Sequence, residues 1–318
     1  MDKQKVLVIV GPTAVGKTAL GVKLSQRFNG EVISGDSLQV YKQLDIGTAK
    51  VTTEEMQGVP HHLIDIKEPT ETYSAHEFKC HATECINELA LQNKLPIIVG
   101  GTGLYIQSLL YDFHLGSSEL SDDEKKSRKK WEEFAENLSN EALWHELETI
   151  DPKGANTIHP NNRKRVIRAL EVFDLTGKSI SEQQQIDLMD LSKSSFDVKL
   201  IGLTTDREVL YNRINQRVDI MMDEGLLDEA KMVYELDCPQ ASQGIGYKEF
   251  FPYFEGKCSL EKSVEEVKQH SRQYAKRQLT WFRNRMPVEW WDIVLEETNM
   301  SKLEEDVSKW LDKKEGMA

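Results

Sequence analysis

The chain has 318 residues and a formal net charge of −13, with 53 acidic against 40 basic side chains. That length exceeds a comfortable single core, so a main domain with an insertion is expected. The acidity excludes a protein that coats nucleic acid through a generally positive surface, but two basic clusters leave room for a local basic face. These are Arg163, Lys164, Arg165 and Arg168, and later Arg272, Lys276, Arg277, Arg283 and Arg285.

Residues 1–5 run straight into a strand pattern without an apolar signal region, and no stretch is apolar for long enough to cross a bilayer. A soluble cytoplasmic protein with no membrane partner is expected. Residues 6–10 form a continuous apolar run, the pattern of a fully buried parallel strand, and residues 18–28 follow with helical spacing. Residues 31–34 and 96–99 read as further strands, each ending in small or polar residues, Gly35-Asp36-Ser37 and Gly100-Gly101-Thr102-Gly103. Strands separated by helices predict an α/β fold, a P-loop NTPase-like parallel sheet flanked by helices, with ligands at the carboxyl ends of the strands. Across residues 116–195 the strand signals stop, and charged stretches at 122–138, 141–150 and 163–175 predict an all-helical insertion. A strand pattern returns at 198–203, followed by amphipathic stretches at 207–222, 226–236 and 260–284. The catalytic core is therefore discontinuous, 1–115 with 196–318. Residues 313–318 are expected to fray.

Gly11, Pro12, Thr13, Ala14, Val15, Gly16, Lys17 and Thr18 fit the phosphate-loop pattern G-x-x-x-x-G-K-[ST] at every position, with the required strand before and helix after. Glycines let the backbone wrap close to phosphate, and the helix N-terminus supplies positive potential. Lys17 adds a point charge, and Thr18 is a candidate Mg²⁺ ligand. Such loops usually serve a triphosphatase or kinase whose metal is also held by an Asp ending a second apolar strand. Here the most apolar candidate, residues 97–99, ends in Gly-Gly-Thr. The one Asp at a strand end is Asp36, followed by Ser37, Leu38 and Gln39. Taken alone, Asp36 reads equally as an N-cap on the next helix or as a base that reads and deprotonates a polar substrate. His61 and His62 lack a third ligand at a diagnostic spacing and read as structural. Cys80, Cys85, Cys238 and Cys258 match neither a zinc site nor a disulfide framework, so reduced, packed thiols are expected.

Several blocks together carry a resemblance. They are the phosphate loop, Asp36-Ser-Leu-Gln-Val-Tyr41, Leu44-Asp-Ile-Gly-Thr-Ala-Lys50, Val59-Pro-His-His-Leu-Ile-Asp65, Gly100-Gly-Thr-Gly-Leu-Tyr105 and His159-Pro-Asn-Asn-Arg163. Further blocks are Arg165-Val-Ile-Arg-Ala-Leu-Glu171, Gly244-Ile-Gly-Tyr-Lys248 and Lys276-Arg-Gln-Leu-Thr-Trp-Phe-Arg283. In this order, over nearly the whole chain, they resemble the bacterial tRNA dimethylallyltransferases, also called tRNA isopentenyltransferases.

The resemblance implies transfer of a dimethylallyl group from its diphosphate to N6 of the adenosine at position 37 of tRNA, beside the anticodon, with Mg²⁺ at the leaving diphosphate. It implies Asp36 as general base, Thr102 beside the amine and diphosphate, and Arg217 as a diphosphate clamp. Read without it, Thr102 is more readily a helix cap and Arg217 a solvated residue. The resemblance further implies RNA contacts from Asp36, Ser37, Leu38, Gln39 and Thr102, and from Lys164, Arg165, Val166, Ile167 and Arg168. Gln243, Gly244, Gly246, Tyr247 and Lys248, then Lys276 and Arg277, complete the set, with Lys126 or Arg128 as a looser match. Trp281 and Phe282 read as core packing on the same segment. Base and diphosphate are expected to enter a channel from opposite ends, with the base flipped from its stack, and the protein is expected to act as a monomer. Three rivals share the loop: a kinase, which needs a second Mg²⁺ acid; an adenylate isopentenyltransferase acting on free AMP, ADP or ATP, which needs no anticodon-binding insertion; and a non-enzymatic RNA-binding regulator or scaffold, disfavoured by Asp36 and Thr102 arriving together at strand ends.

Overall fold

The computed structural model describes residues 3–111, 122–182, 188–236, 238–296 and 298–313. Two compact units divide the chain, Met1–Asp112 with Leu188–Ala318, and Phe113–Asp187. The first unit opens with β1 (Lys5–Val10), α1 (Lys17–Phe28), β2 (Gly30–Ser34), α2 (Thr53–Met56), β3 (His61–His62), α3 (Ala75–Leu91), β4 (Leu95–Gly100) and α4 (Gly103–Leu110). The second unit contains α5 (Asp122–Glu136), α6 (Asn140–Ile150), α7 (Pro152–Ala155) and α8 (Arg163–Thr176). The first then resumes with β5 (Asp197–Leu203), α9 (Arg207–Asp223), α10 (Leu226–Glu235), α11 (Phe251–Phe254), α12 (Leu260–Arg285), β6 (Glu289–Trp291) and α13 (Thr298–Asp312).

All the strands pair in parallel, in the order β3-β2-β4-β1-β5-β6. The unbroken apolar runs follow from that arrangement, because a central parallel strand is covered on both faces and has no solvent side to make polar. Leu7 and Ile9 of β1, Ile97 of β4, and Ile201 and Leu203 of β5 share one core cluster with Leu20 and Leu24 of α1 and Ile214 of α9. Ala275 of α12 and Leu303 and Val307 of α13 join the same cluster. Two strands are absent from the sequence reading. β3 is only two residues long, and the Trp290-Trp291 strand has no alternation to mark it. The expected fraying of the C-terminus concerns residues 314–318, which lie outside the described residues.

In the second unit, α5, α6 and α8 bury Trp131, Ala135, Leu143, Leu147, Val166, Ala169 and Leu170 in a core of their own. Asn162 caps α8 by accepting from Arg165 N–H, and Gly177, at φ 65°, ends it in the left-handed conformation. Arg163 donates to the carbonyls of Ala135 and Leu138, tying the start of α8 to the end of α5. The far boundary lies at Asp187 rather than residue 195. The cause is local: Lys3 Nζ donates to the carbonyls of Ser192 and Ser194, both at 2.8 Å, and draws that segment onto the sheet unit.

Candidate active site

The phosphate loop joins β1 to α1. Its backbone uses left-handed conformations at Ala14 (φ 64°) and Gly16 (φ 104°), and a Cβ at Gly11 would stand 2.7 Å from the Leu203 carbonyl oxygen. Only glycine fits at that close approach. Three side chains hold the loop. Lys17 Nζ donates to Pro12 O at 2.7 Å, Arg213 Nε to Ala14 O at 2.8 Å, and Gln278 Oε1 accepts Thr13 N–H at 3.0 Å.

Beside this loop, the ends of β2 and β4 converge. Gly35 N–H donates to Val99 O at 2.8 Å, and a Cβ on Gly100 would overlap the Gly35 carbonyl. These glycines bring Asp36 and Thr102 into one place. No helix follows Asp36, so it does not cap one. Instead Oδ1 accepts Leu38 N–H at 2.9 Å, closing an Asx turn. Thr102 occupies the N-cap position of α4 without capping it. Its Oγ1 accepts Ser37 N–H at 3.2 Å, linking the two strand ends. The Tyr274 phenol faces Thr102, Gln278 and Asp36, and burial pushes it up to about 12.

Asp36, Thr13, Lys17, Thr18 and Arg217 line one cavity of about 800 Å³, together with Gln39, Gln243, Gly244 and Lys248. Burial pushes the Asp36 carboxyl up, against the opposing pull of the Leu38 amide and the charges of Lys17 and Arg217. Burial lowers Lys17 to about 8, where Asp36 opposes the shift and Arg217 adds to it. Burial also lowers Arg217. Two cations and one carboxylate thus face each other across a partly desolvated space, an arrangement suited to an anionic ligand beside a proton acceptor. The Thr18 hydroxyl makes no hydrogen bond among the described residues and faces the same space. Among those residues no group of three His, Cys, Asp or Glu gathers as a metal cage. A hydroxyl beside a diphosphate suits Mg²⁺, which keeps few protein ligands.

The remaining candidates divide by burial. Lys126, Lys164, Gln243, Lys248, Lys276 and Arg277 are exposed, and Ser37, Leu38, Arg165 and Ile167 partly so. Val166 and Tyr247 correct the expectation of RNA contact, since both are fully buried. Val166 belongs to the α8 core, and the Tyr247 hydroxyl donates to Glu229 at 2.8 Å with its ring packed against Gly47. Gly244 and Gly246 are buried as well. Arg168 is spent on Glu171 at 2.9 Å, and Arg128 reaches the same carboxylate at 3.4 Å. Gln39 donates to the carbonyls of Thr48 and Ala49 and accepts from Ser34, so it braces a loop as well as facing the cavity. Phe282 is fully buried, and Trp281 packs against Gly103. His61 and His62 are structural: His61 bonds Val59 O, and His62 bonds Glu31 at 2.6 Å. None of the four cysteines is in a disulfide, and Cys80 is exposed rather than packed.

Sequence reasoning missed Gln278, Tyr274, Arg213 and Glu229 as parts of the site. Glu229 accepts the backbone N–H groups of Asp45, Ile46 and Gly47 at 2.8 to 2.9 Å, which explains the block at residues 44–50 as a cavity wall held by one carboxylate. No helix among the described residues is long and apolar enough to cross a membrane.

A sequence model described as IPP transferase matches residues 39–285. The chain is 60% identical over 312 residues to the tRNA dimethylallyltransferase of Enterococcus faecalis, covering 98% of this chain and 99% of that one. It is similar to the crystal structure of the full-length tRNA isopentenylpyrophosphate transferase of Bacillus halodurans, with a TM-score of 0.72, 47% identity and coverage of 98% and 97%. A eukaryotic dimethylallyltransferase acting on tRNA, solved as crystallographic snapshots, aligns with a TM-score of 0.77 at 32% identity, covering 96% of this chain and 80% of that one. On the extent of these matches, the chain belongs to the IPP transferase family.

Proposed function

We propose that this protein transfers a dimethylallyl group from dimethylallyl diphosphate to N6 of the adenosine at position 37 of tRNA, releasing diphosphate. One observation carries the reading: the phosphate loop shares its cavity with Asp36, after β2, and with Gly100 and Gly101 at the end of β4, where the chain runs on to Thr102 instead of a second acid. A triphosphate-cleaving enzyme needs that acid for its metal. A prenyl transferase needs a cradle for a leaving diphosphate and a base for an amine.

An adenine amino group is a poor nucleophile because its lone pair is delocalised into the ring. Its attack on the first carbon of the dimethylallyl group forms the C–N bond as the C–O bond to diphosphate breaks. Asp36 accepts the N6 proton, and burial, by raising its carboxyl, makes it a stronger base. Lys17, Arg217 and the first amides of α1 take up the charge that develops on the leaving oxygens. Thr18 and the diphosphate would hold Mg²⁺, which supplies further neutralisation of the leaving group. The Thr102 hydroxyl accepts Ser37 N–H and so fixes the turn after β4 against the Asp36 segment. A volume of about 800 Å³ accommodates a flipped base together with a short prenyl diphosphate. Exposed Lys276 and Arg277 on α12, and Lys164 on α8, are the cations offered to the anticodon arm. Every group invoked at the reacting centre comes from one chain, so a monomer suffices.

The test incubates the protein with Mg²⁺, dimethylallyl diphosphate and unmodified tRNA, with free AMP and ATP in parallel, and weighs the digested nucleosides. A gain of one five-carbon unit on a tRNA adenosine is expected. A gain on AMP alone would move the protein to the adenylate-modifying class, and no gain on either would sink the reading.

A further inference from the structure

α12 presents cations to solvent on one side and closes the site with the other. Lys276 and Arg277 are exposed, whereas the next residue, Gln278, is only 5% exposed. Both ends of its amide are taken by backbone from loops far away in the chain. Oε1 accepts Thr13 N–H at 3.0 Å, in the phosphate loop, and Nε2 donates to Gly101 O at 3.0 Å, in the turn that carries Thr102. The fit is close: a Cβ on Gly101 would overlap Nε2.

We propose that Gln278 is a positioning residue for the leaving diphosphate, fixing the spacing between the phosphate loop and the Gly101-Thr102 turn through one bifunctional side chain. The role rests on the prenyl diphosphate reading above. A primary amide is suited to it because it offers a donor and an acceptor side by side. The other two side chains that grip the loop, Lys17 and Arg213, both hold carbonyl oxygens, at Pro12 and Ala14. Gln278 instead takes an amide N–H of the loop, that of Thr13. The amides at the start of α1, which have no partner within the helix, remain directed at phosphate. Gln278 lines the cavity, but both ends of its amide are taken by backbone. It acts through Thr13 and Gly101.

Two variants test this. Gln278→Met keeps the volume and removes both hydrogen bonds. It should raise the KM for dimethylallyl diphosphate, and the Kd for inorganic diphosphate with Mg²⁺ by calorimetry, about tenfold. Affinity for the anticodon stem-loop should stay within about twofold, because Lys276 and Arg277 are untouched. Gln278→Glu keeps the acceptor for Thr13 but, when ionised, sets a carboxylate against the Gly101 carbonyl. Protonation restores the donor, so its deficit relative to the parent should shrink as the pH falls from about 8 to about 6.

Diphosphate binding by the methionine variant equal to that of the parent would overturn the proposal. So would an equal loss of diphosphate and stem-loop binding together with a lowered unfolding temperature, which marks a merely structural residue. Should the methionine variant fail to fold, a pH-independent deficit in the glutamate variant overturns it alone. A parent that binds diphosphate in a Gln278-dependent way yet transfers no prenyl group would refute the prenyl transfer reading and leave the positioning role standing.

Discussion

Asp36→Asn separates the chemistry at the strand ends from their architecture. The substitution is isosteric, and an asparagine Oδ1 can still accept Leu38 N–H across the 2.9 Å contact that closes the turn. The turn, the Ser37 to Thr102 link and the unfolding temperature should therefore survive. What is lost is the proton acceptor, and a positioned general base is worth about a hundred- to ten-thousandfold in rate, or about 3–5 kcal/mol of barrier. A second effect runs the same way. Asp36 supports the charge on Lys17, which burial already lowers to about 8, so its removal leaves Lys17 more often neutral near that pH. Single-turnover transfer to an unmodified anticodon stem-loop, with product quantified by mass, should fall by at least about a hundredfold while stem-loop affinity changes little. A rate within about fivefold of the parent would refute Asp36 as the base.

The pH profile carries its own sign. Productive free enzyme needs Asp36 ionised and Lys17 protonated. kcat/KM for dimethylallyl diphosphate should rise as the pH climbs through the elevated Asp36 value, then fall above about 8 as Lys17 loses its proton. With diphosphate bound, the alkaline limb of kcat should move upward, because the ligand's charge stabilises the ammonium. Lys276→Ala and Arg277→Ala should each weaken tRNA binding and reduce the slope of log K against log salt by about one, with diphosphate affinity unchanged, as titrations at several salt concentrations would register. Glu229→Ala strands three backbone N–H groups and the Tyr247 hydroxyl. Denaturant unfolding of the sheet unit should show a loss of about 2–4 kcal/mol, and an unchanged midpoint would show that water replaces the carboxylate.

Much of the site was legible because it is made of local backbone. Gly11 to Thr18, Asp36 and Thr102 each sit in a short segment whose glycines, strand and helix can be read in sequence, and parallel pairing of β2, β4 and β1 then places them together. What escaped depends on contacts across the chain. Gln278 lies 265 residues from Thr13 and 177 from Gly101, and no local pattern announces such a pairing. Glu229 likewise reaches back to residues 45–47 from α10. Val166 was misjudged for another reason: a motif match says which positions belong together but not which way they face. The helical period held the answer, because Val166, Ala169 and Leu170 recur at three- and four-residue spacing as the buried stripe of α8, with Lys164 outside it.

The central claim is that the phosphate loop serves a prenyl diphosphate and not a nucleoside triphosphate. A time course that counts diphosphate released, prenylated adenosine formed in tRNA and ATP consumed, in one reaction containing both dimethylallyl diphosphate and ATP, addresses it most directly. The account predicts one diphosphate released for each prenylated adenosine at position 37, with ATP neither consumed nor required. Hydrolysis of ATP in step with product, or diphosphate release without prenylated tRNA, would contradict it.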